Sequence, residues 1–334
     1  MSVSKVANLA GVSPATVSKV INRYPSVSAE NTQRVRAAMR QLNYRPATRR
    51  RRVVQGPVAV LILHVNQFHH FTSSCSLMLQ GVENELRARE QDMVIAHVSS
   101  VEHLPAIVRK RQVSGLILIG HLPSQAVLKQ INDIPSVWLT SHHDVGGDVM
   151  LSGNEAVGRI AAEYLIERGH KKLGVLNTLG QNPVVDVRCR YFAFVAQEHG
   201  CTTRSYISGH DMTWDGQREL GLDDFERQVG EQIDVFLSDG QRPTGLFVPL
   251  DLQVAMVYRV LDKRGVKPGK GLEIIGSDDE KAALIGLNPR PATVNIGPVT
   301  MGRRAVEQLF WRIDHGESDR QVCVTVVPML VPGD

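Results

Sequence analysis

The chain has 334 residues, of which 43% are hydrophobic and 22% charged, with a formal charge of +4; that suits a small module plus a larger core and is too polar for a membrane protein. No charged n-region with an apolar h-region opens it and no apolar run approaches about 18 residues, which predicts a cytoplasmic protein without membrane partners. Cys75, Cys189, Cys201 and Cys323 are scattered without a CxxC, and GxSxG, GxxxxGK[ST], HxxxH and HExxH are all absent. Reduced thiols, no metal, no cofactor and no enzymatic activity are therefore expected.

Residues 4–10 read as a short amphipathic helix with Val6, Leu9 and Ala10 on one side, broken by Gly11. A second helix restarts at once: Ser13 suits the N-cap, Pro14 the first helical position, and Val17, Val20 and Ile21 repeat at the spacing of a buried face. This is a helix-turn-helix, whose second helix enters the major groove. Pro14, Ala15, Ser18 and Lys19 form its outward set, and Ser4, Ser13, Thr16, Asn22, Arg23 and Tyr44 complete the candidate DNA contacts. A third helix over 28–42 turns Val35, Ala38, Met39 and Leu42 inward and keeps Arg34, Arg36 and Arg40 wet. Up to Val54 there are eleven Lys/Arg against one acidic residue, Glu30, so this end carries +10 and the remainder −6. A basic head on a mildly acidic body is the footprint of a phosphate-backbone binder.

The runs VANLAGVS at 6–13 and ATVSKVIN at 15–22, Val27-Ser28, and LNYRP at 42–46 resemble the head of the lactose/galactose-repressor (LacI/GalR) family. The resemblance implies a short hinge helix beyond it that forms on DNA and pushes a leucine into the minor groove. In register from Arg45-Pro46 the wedge position is Val53, and Arg49, Arg50, Arg51 and Arg52 replace the usual small and apolar residues. Four adjacent like charges disfavour a free helix, yet phosphates or a narrow A·T-rich minor groove would neutralise them. A hinge that orders only on DNA, with steep salt dependence, is expected; a solvated tether is the alternative.

From Gly56 onward strands alternate with helices. PVAVLILHV at 57–65 is the continuous apolar run of a strand buried on both faces, followed by a helix over 77–89, strands over 93–98, 115–120 and 135–139, and a helix over 104–111. A second unit follows Asn154, with helices over 156–168, 188–198 and 251–263 and strands over 172–177, 244–249 and 272–276. The fold class expected is a small all-α helix-turn-helix head plus an α/β bilobal core of two doubly wound parallel sheets, resembling periplasmic sugar-binding proteins. The likeness extends to RGHKK at 168–172, PTGLF at 243–247, GSDD at 276–279 and MGRRAV at 301–306. The expected domains are a head over 1–46, a hinge over 47–56 and a core over 57–334. Within the core, the first lobe takes 57–153 and a return near 290–315, and the second takes 154–289 and the C-terminal tail.

Open α/β sheets bind ligands beyond the carboxyl ends of their strands. Phe68, His69 and Phe71 follow the first strand, Arg188 opens a helix, Asp251 follows the strand at Phe247, and Asp278 and Asp279 follow that at Ile275. The resemblance puts Arg188, Asp251 and Asp278 near effector-holding positions, with Phe68, Phe71 and Trp214 as aromatic candidates. Each has a plainer reading: Arg188 pairing with Asp186, Asp251 as an N-cap, Asp278 holding a turn, Trp214 as a packed or anchoring ring. The family's Asp before Asn154 is Gly153 here, its Gly and aromatic after the arginine are Tyr191 and Phe192, and its Asn before Asp251 is Leu250, which predicts a cleft of altered shape.

These features imply a homodimeric repressor of a palindromic double-stranded DNA operator, controlled by a small-molecule effector such as a sugar or sugar phosphate. The alternative is a ligand-independent DNA-binding or architectural protein with a degenerate cleft. Family tetramers add a C-terminal heptad helix; the strand-like tail 322–334 predicts a dimer.

Overall fold

The computed structural model describes residues 3–21, 27–42, 44, 56–63, 73–120, 122–140, 146–180, 182–208, 222–316 and 320–334. They divide into two compact units, Met1–Val54 and Gln55–Asp334.

The first unit holds α1 (Val3–Ala10), α2 (Pro14–Ile21) and α3 (Ala29–Gln41). Gly11, at φ +61°, makes the turn between α1 and α2. The side chain of Ser13 then accepts the Thr16 N–H at 3.1 Å, and Ser28 does the same for Asn31 at 3.3 Å. Val6, Ala7, Ala10, Val17, Val20, Val35 and Ala38 form the core. Leu9, expected on that inner side, is 45% exposed. On a helix of two turns the inward stripe runs through Val6, Ala7 and Ala10, so Ala7 takes the place assigned to Leu9.

The second unit contains two parallel sheets. The first runs β11 (Cys323–Thr325), β5 (Asp148–Leu151), β4 (Ser136–Leu139), β3 (Gly115–Gly120), β1 (Val58–Leu63), β2 (Met93–Val98). Its central strands bury both faces by simple alternation. Val58, Val60, Ile117 and Val137 pack with α4 (Ser73–Ala88) and α12 (Pro298–Asp314), while Ala59, Leu61, Leu118 and Trp138 pack with α5 (Ala106–Arg109) and α6 (Gln125–Ile131). The expected helix over 104–111 is thus a 3-10 turn, Val101–His103, followed by the four residues of α5.

The second sheet runs β7 (Thr202–Ile207), β6 (Lys172–Asn177), β8 (Gly245–Phe247), β9 (Glu273–Ile275). One face packs on α7 (Asn154–Glu167) and α8 (Pro183–Glu198), the other on α9 (Leu222–Ser238) and α10 (Asp251–Lys263). A short α11 (Lys281–Leu284) follows β9, and β10 (Thr293–Asn295) pairs antiparallel with β12 (Met329–Val331). The tail expected with the second lobe is therefore divided: β11 joins the first sheet beside β5, and only β12 reaches the second lobe. Asp148 fixes that arrangement, accepting from Arg312, Gln308 and the Val322 N–H while fully buried.

Cys75, Cys189, Cys201 and Cys323 are free thiols. Among the described residues no helix is long and apolar enough to cross a membrane.

Candidate functional site

In the first unit the end of α2 that carries the Ser13–Thr16 cap also carries the outward side chains. Ser4, Ser13, Pro14, Ala15 and Lys19 are exposed, and Thr16 and Tyr44 are half-buried. The cap holds the first turn of α2 while its other residues stay open to a groove. Asn22, Arg23, Arg49, Arg50, Arg51, Arg52 and Val53 lie outside the described residues, as does the side chain of Ser18.

The second site sits at the carboxyl edge of the second sheet. Asn182 accepts the N–H groups of Val184 and Val185 and Pro183 takes the first turn, so α8 starts at Pro183. Arg188, expected at the helix start, stands in the second turn and points under the sheet edge, 2% exposed. Its Nη1 donates to Asp278 Oδ1 at 2.8 Å and to Ser277 Oγ and the Pro249 carbonyl at 2.9 Å, and its Nε donates to Asn154 Oδ1 at 2.9 Å. Nη2 has no hydrogen-bond partner among the described residues. Asp186 pairs with Arg190 and leaves Arg188 to the cleft.

Asp278 and Asp251 are both buried, but only Asp278 meets the guanidinium. Asp251 stands behind, where its carboxylate accepts from Thr293 Oγ1 at 2.7 and 2.9 Å and from the Glu280 N–H at 2.9 Å. Burial first, and then the charge of Asp278, push the Asp251 carboxyl well above its ordinary range against those hydrogen bonds. Burial also raises that of Asp278, opposed by Arg188. Of the two carboxyls, Asp278 is the one that pairs with Arg188. Asp251 is a support for the loop after β9, whereas Arg188 and Asp278 present a bidentate-capable donor and an acceptor side by side.

The residues at two of the departures noted in the sequence pack within the second lobe. Phe192 is fully buried and stacks on Phe247 at 5.1 Å, and Tyr191 lies against Gly158 on the α7 side with 44% exposure. Leu250 packs against the apolar clusters on both faces of the second sheet. Gly153 matters to the site, because its φ of +60° starts α7 so that Asn154 reaches Arg188. Asn154, Ser277 and Thr293 thus belong to the site as well; Asn154 and Ser277 adjoin Gly153 and Asp278 in the sequence, whereas Thr293, on β10, carries no such signal. Phe68, Phe71 and Trp214 lie outside the described residues. Among the described residues no group of three or more His, Cys, Asp or Glu is placed to hold a metal ion.

Comparison with known proteins matches residues 2–47 to "Bacterial regulatory proteins, lacI family" and residues 162–334 to "Periplasmic binding protein-like domain". The ribose operon repressor of Escherichia coli (strain K12) is 27% identical over 325 residues, covering 92% of each chain. The HTH-type transcriptional repressor PurR of Pectobacterium carotovorum is 27% identical over 342 residues, covering 98% of this chain and 95% of its own. Among solved structures, a transcriptional regulator CelR–cellobiose complex superposes with TM-score 0.67 at 23% identity, covering 100% of this chain and 99% of that one. The lac repressor dimer bound to operator and the anti-inducer ONPF gives TM-score 0.63 at 20% identity, covering 100% and 98%.

Proposed function

Because the chain belongs to the lacI family of bacterial regulatory proteins, we propose that it is a dimeric, sequence-specific DNA-binding repressor whose hold on a palindromic operator is set by a small molecule in the inter-lobe cleft. The observation that carries this reading is the pairing, in one chain, of a capped and outward-facing α2 in a basic head with a buried Arg188–Asp278 pair at a sheet's carboxyl edge. The first binds phosphates and base edges. The second is suited to adjacent hydroxyls, since Arg188 Nη2 donates and Asp278 accepts. A neutral sugar fits this better than a sugar phosphate: among the described residues, the guanidinium of Arg188 is already matched by Asp278, with Asp251 and Glu280 buried nearby. Repressors of ribose operons and a cellobiose-bound regulator among the relatives point the same way.

Residues 1–46 serve as the reading head, 47–56 as the arginine-rich hinge and 57–334 as the effector-binding and dimerising core. One head spans too few base pairs for useful specificity, and a two-fold pair doubles the site. A ligand changes DNA affinity only by preferring one core conformation, and the coupling is reciprocal.

Selection of the full-length protein on a random duplex library at near-physiological salt tests this reading. Enrichment of a two-fold symmetric site supports it, and recovery of unselected DNA counts against it. On the recovered duplex, Lys19→Ala should cost about 1–3 kcal/mol and relax one position in each half-site. Uniform weakening across sequences, measured by competition binding, would make Lys19 a phosphate contact instead.

A further inference from the structure

Two of the segments that pass between the lobes end on the arginine–carboxylate site. The first leaves β5 and turns at Gly153, and the next residue, Asn154, accepts both Ser152 Oγ and Arg188 Nε at 2.9 Å. The second leaves β10 and turns at Gly297, φ +68°, into α12, which packs on the first lobe. On its way it grips the loop after β9 three times. The Val294 carbonyl accepts the Asp278 N–H at 2.9 Å, Thr293 Oγ1 accepts the Asp279 N–H at 3.3 Å, and Asn295 Nδ2 donates to Asp279 Oδ2 at 2.7 Å. The other end of the same Asn295 amide, Oδ1, accepts the Gly297 N–H at 2.6 Å.

The third segment, between β11 and β12, lies against both turns. A β-carbon on Gly153 would stand 2.9 Å from Pro328 Cδ and 3.0 Å from the Val326 carbonyl oxygen, and one on Gly297 would stand 3.0 Å from Val326 Cγ1. Neither turn has room to shift without its neighbour. Asp278 and Asp279 themselves are held at φ +104° and +55°, conformations that non-glycine residues keep only where surrounding bonds impose them.

From this geometry we infer that Asn295 is a positioning residue that couples the cleft to the inter-lobe hinge. Its amide nitrogen fixes the loop carrying Asp278, and its oxygen fixes the turn at Gly297. A ligand that moves Asp278 or Asp279 thereby loads the hinge, through hydrogen bonds that fail once stretched beyond about 3.5 Å. The coupling rests on the reading of the cleft as the effector site.

An exchange of amide and carboxylate in the full-length protein tests it. Asn295→Asp keeps an acceptor for the Gly297 N–H but sets two carboxylates against each other. Adding Asp279→Asn restores one donor and one acceptor at unchanged net charge. In hydrogen exchange by mass spectrometry, Asn295→Asp should raise exchange at 276–281 and 295–298. It should also do so at 151–154 and 325–328, where neither side chain has a hydrogen bond among the described residues. Affinity for the library-selected duplex should change by at least about fivefold, and the double exchange should reverse both effects. Faster exchange confined to the peptides that contain 279 and 295, duplex affinity unchanged within about twofold, or no recovery in the double exchange would overturn the coupling. If the wild-type protein selects no duplex, the repressor reading fails and the exchange data still decide the coupling.

Discussion

Arg188→Ala is expected to lower the unfolding free energy of the core by about 3–5 kcal/mol, the usual result of removing one partner of a buried ion pair. Arg188 and Asp278 are 2% and 6% exposed, so neither charge has water to fall back on. Without the guanidinium, Asp278 would stand unpaired beside Asp251, which is itself buried and already raised by that neighbour. Ser277 Oγ, Asn154 Oδ1 and the Pro249 carbonyl would also lose the donor they share. The pH dependence has a definite sign. Loss of Arg188 raises the folded-state pKa of Asp278 further above its unfolded value of about 3.9, so its penalty is absent below that value and grows as pH rises through the folded one. The deficit against wild type should therefore be larger at about pH 8 than at about pH 4.5. Adding Asp278→Asn should recover more than half of it by removing the stranded charge. Urea unfolding followed by circular dichroism measures all three. An unchanged midpoint in Arg188→Ala would mean that the pair is solvated and does not bind the second lobe together.

How much of this was legible in the sequence depends on whether a local rule or a distant contact decided the outcome. The head was legible because Ser13-Pro14 and Ser28 are capping signals whose partners lie within three residues. β1 was legible because a strand buried on both faces needs an unbroken apolar run. β5 was not: it begins at Asp148, a carboxylate that is buried only because Arg312, more than 160 residues later, covers it. β7 leaves Thr202, Arg204, Ser205 and Ile207 exposed, as an edge strand does, and has neither an apolar run nor a clean alternation to mark it. α9 sets Phe225, Val229, Ile233 and Phe236 at helical spacing on its buried face, a period that the expected elements of the second unit leave out. At the site, family likeness placed Arg188, Asp251 and Asp278 together but not in depth. That Asp251 lies behind Asp278 follows from Thr293, a residue on another strand. Asn154 and Asn295 act through side-chain amides on partners 34 and 16 residues away, which leave no local pattern.

Gly158→Ala and Gly230→Ala should have opposite signs, although both replace a glycine inside a helix. Alanine gains about 0.5–1 kcal/mol of helix propensity at either position. In α9, a β-carbon at Gly230 would meet only Arg264 Nη2, at 3.5 Å, an ordinary contact with a side chain that has room to adjust. In α7, a β-carbon at Gly158 would lie 2.2 Å from the Arg188 carbonyl oxygen and 2.7 Å from the Phe192 nitrogen. Those are backbone atoms of α8, so the helices must separate, and the cost of about 1–3 kcal/mol or more exceeds the gain. Gly230→Ala should thus raise the thermal midpoint and Gly158→Ala lower it. The second effect reaches the site because Arg188 is the residue pushed. Its four hydrogen bonds, all between 2.8 and 2.9 Å, span Asn154, Pro249, Ser277 and Asp278, and a shift of α8 strains all of them at once. Combining Gly158→Ala with Asp278→Asn should then cost less than the sum of the two single changes, since the pair each disturbs is the same. Strict additivity in that cycle would show that α8 yields at Tyr191 and Phe192 and leaves Arg188 in place.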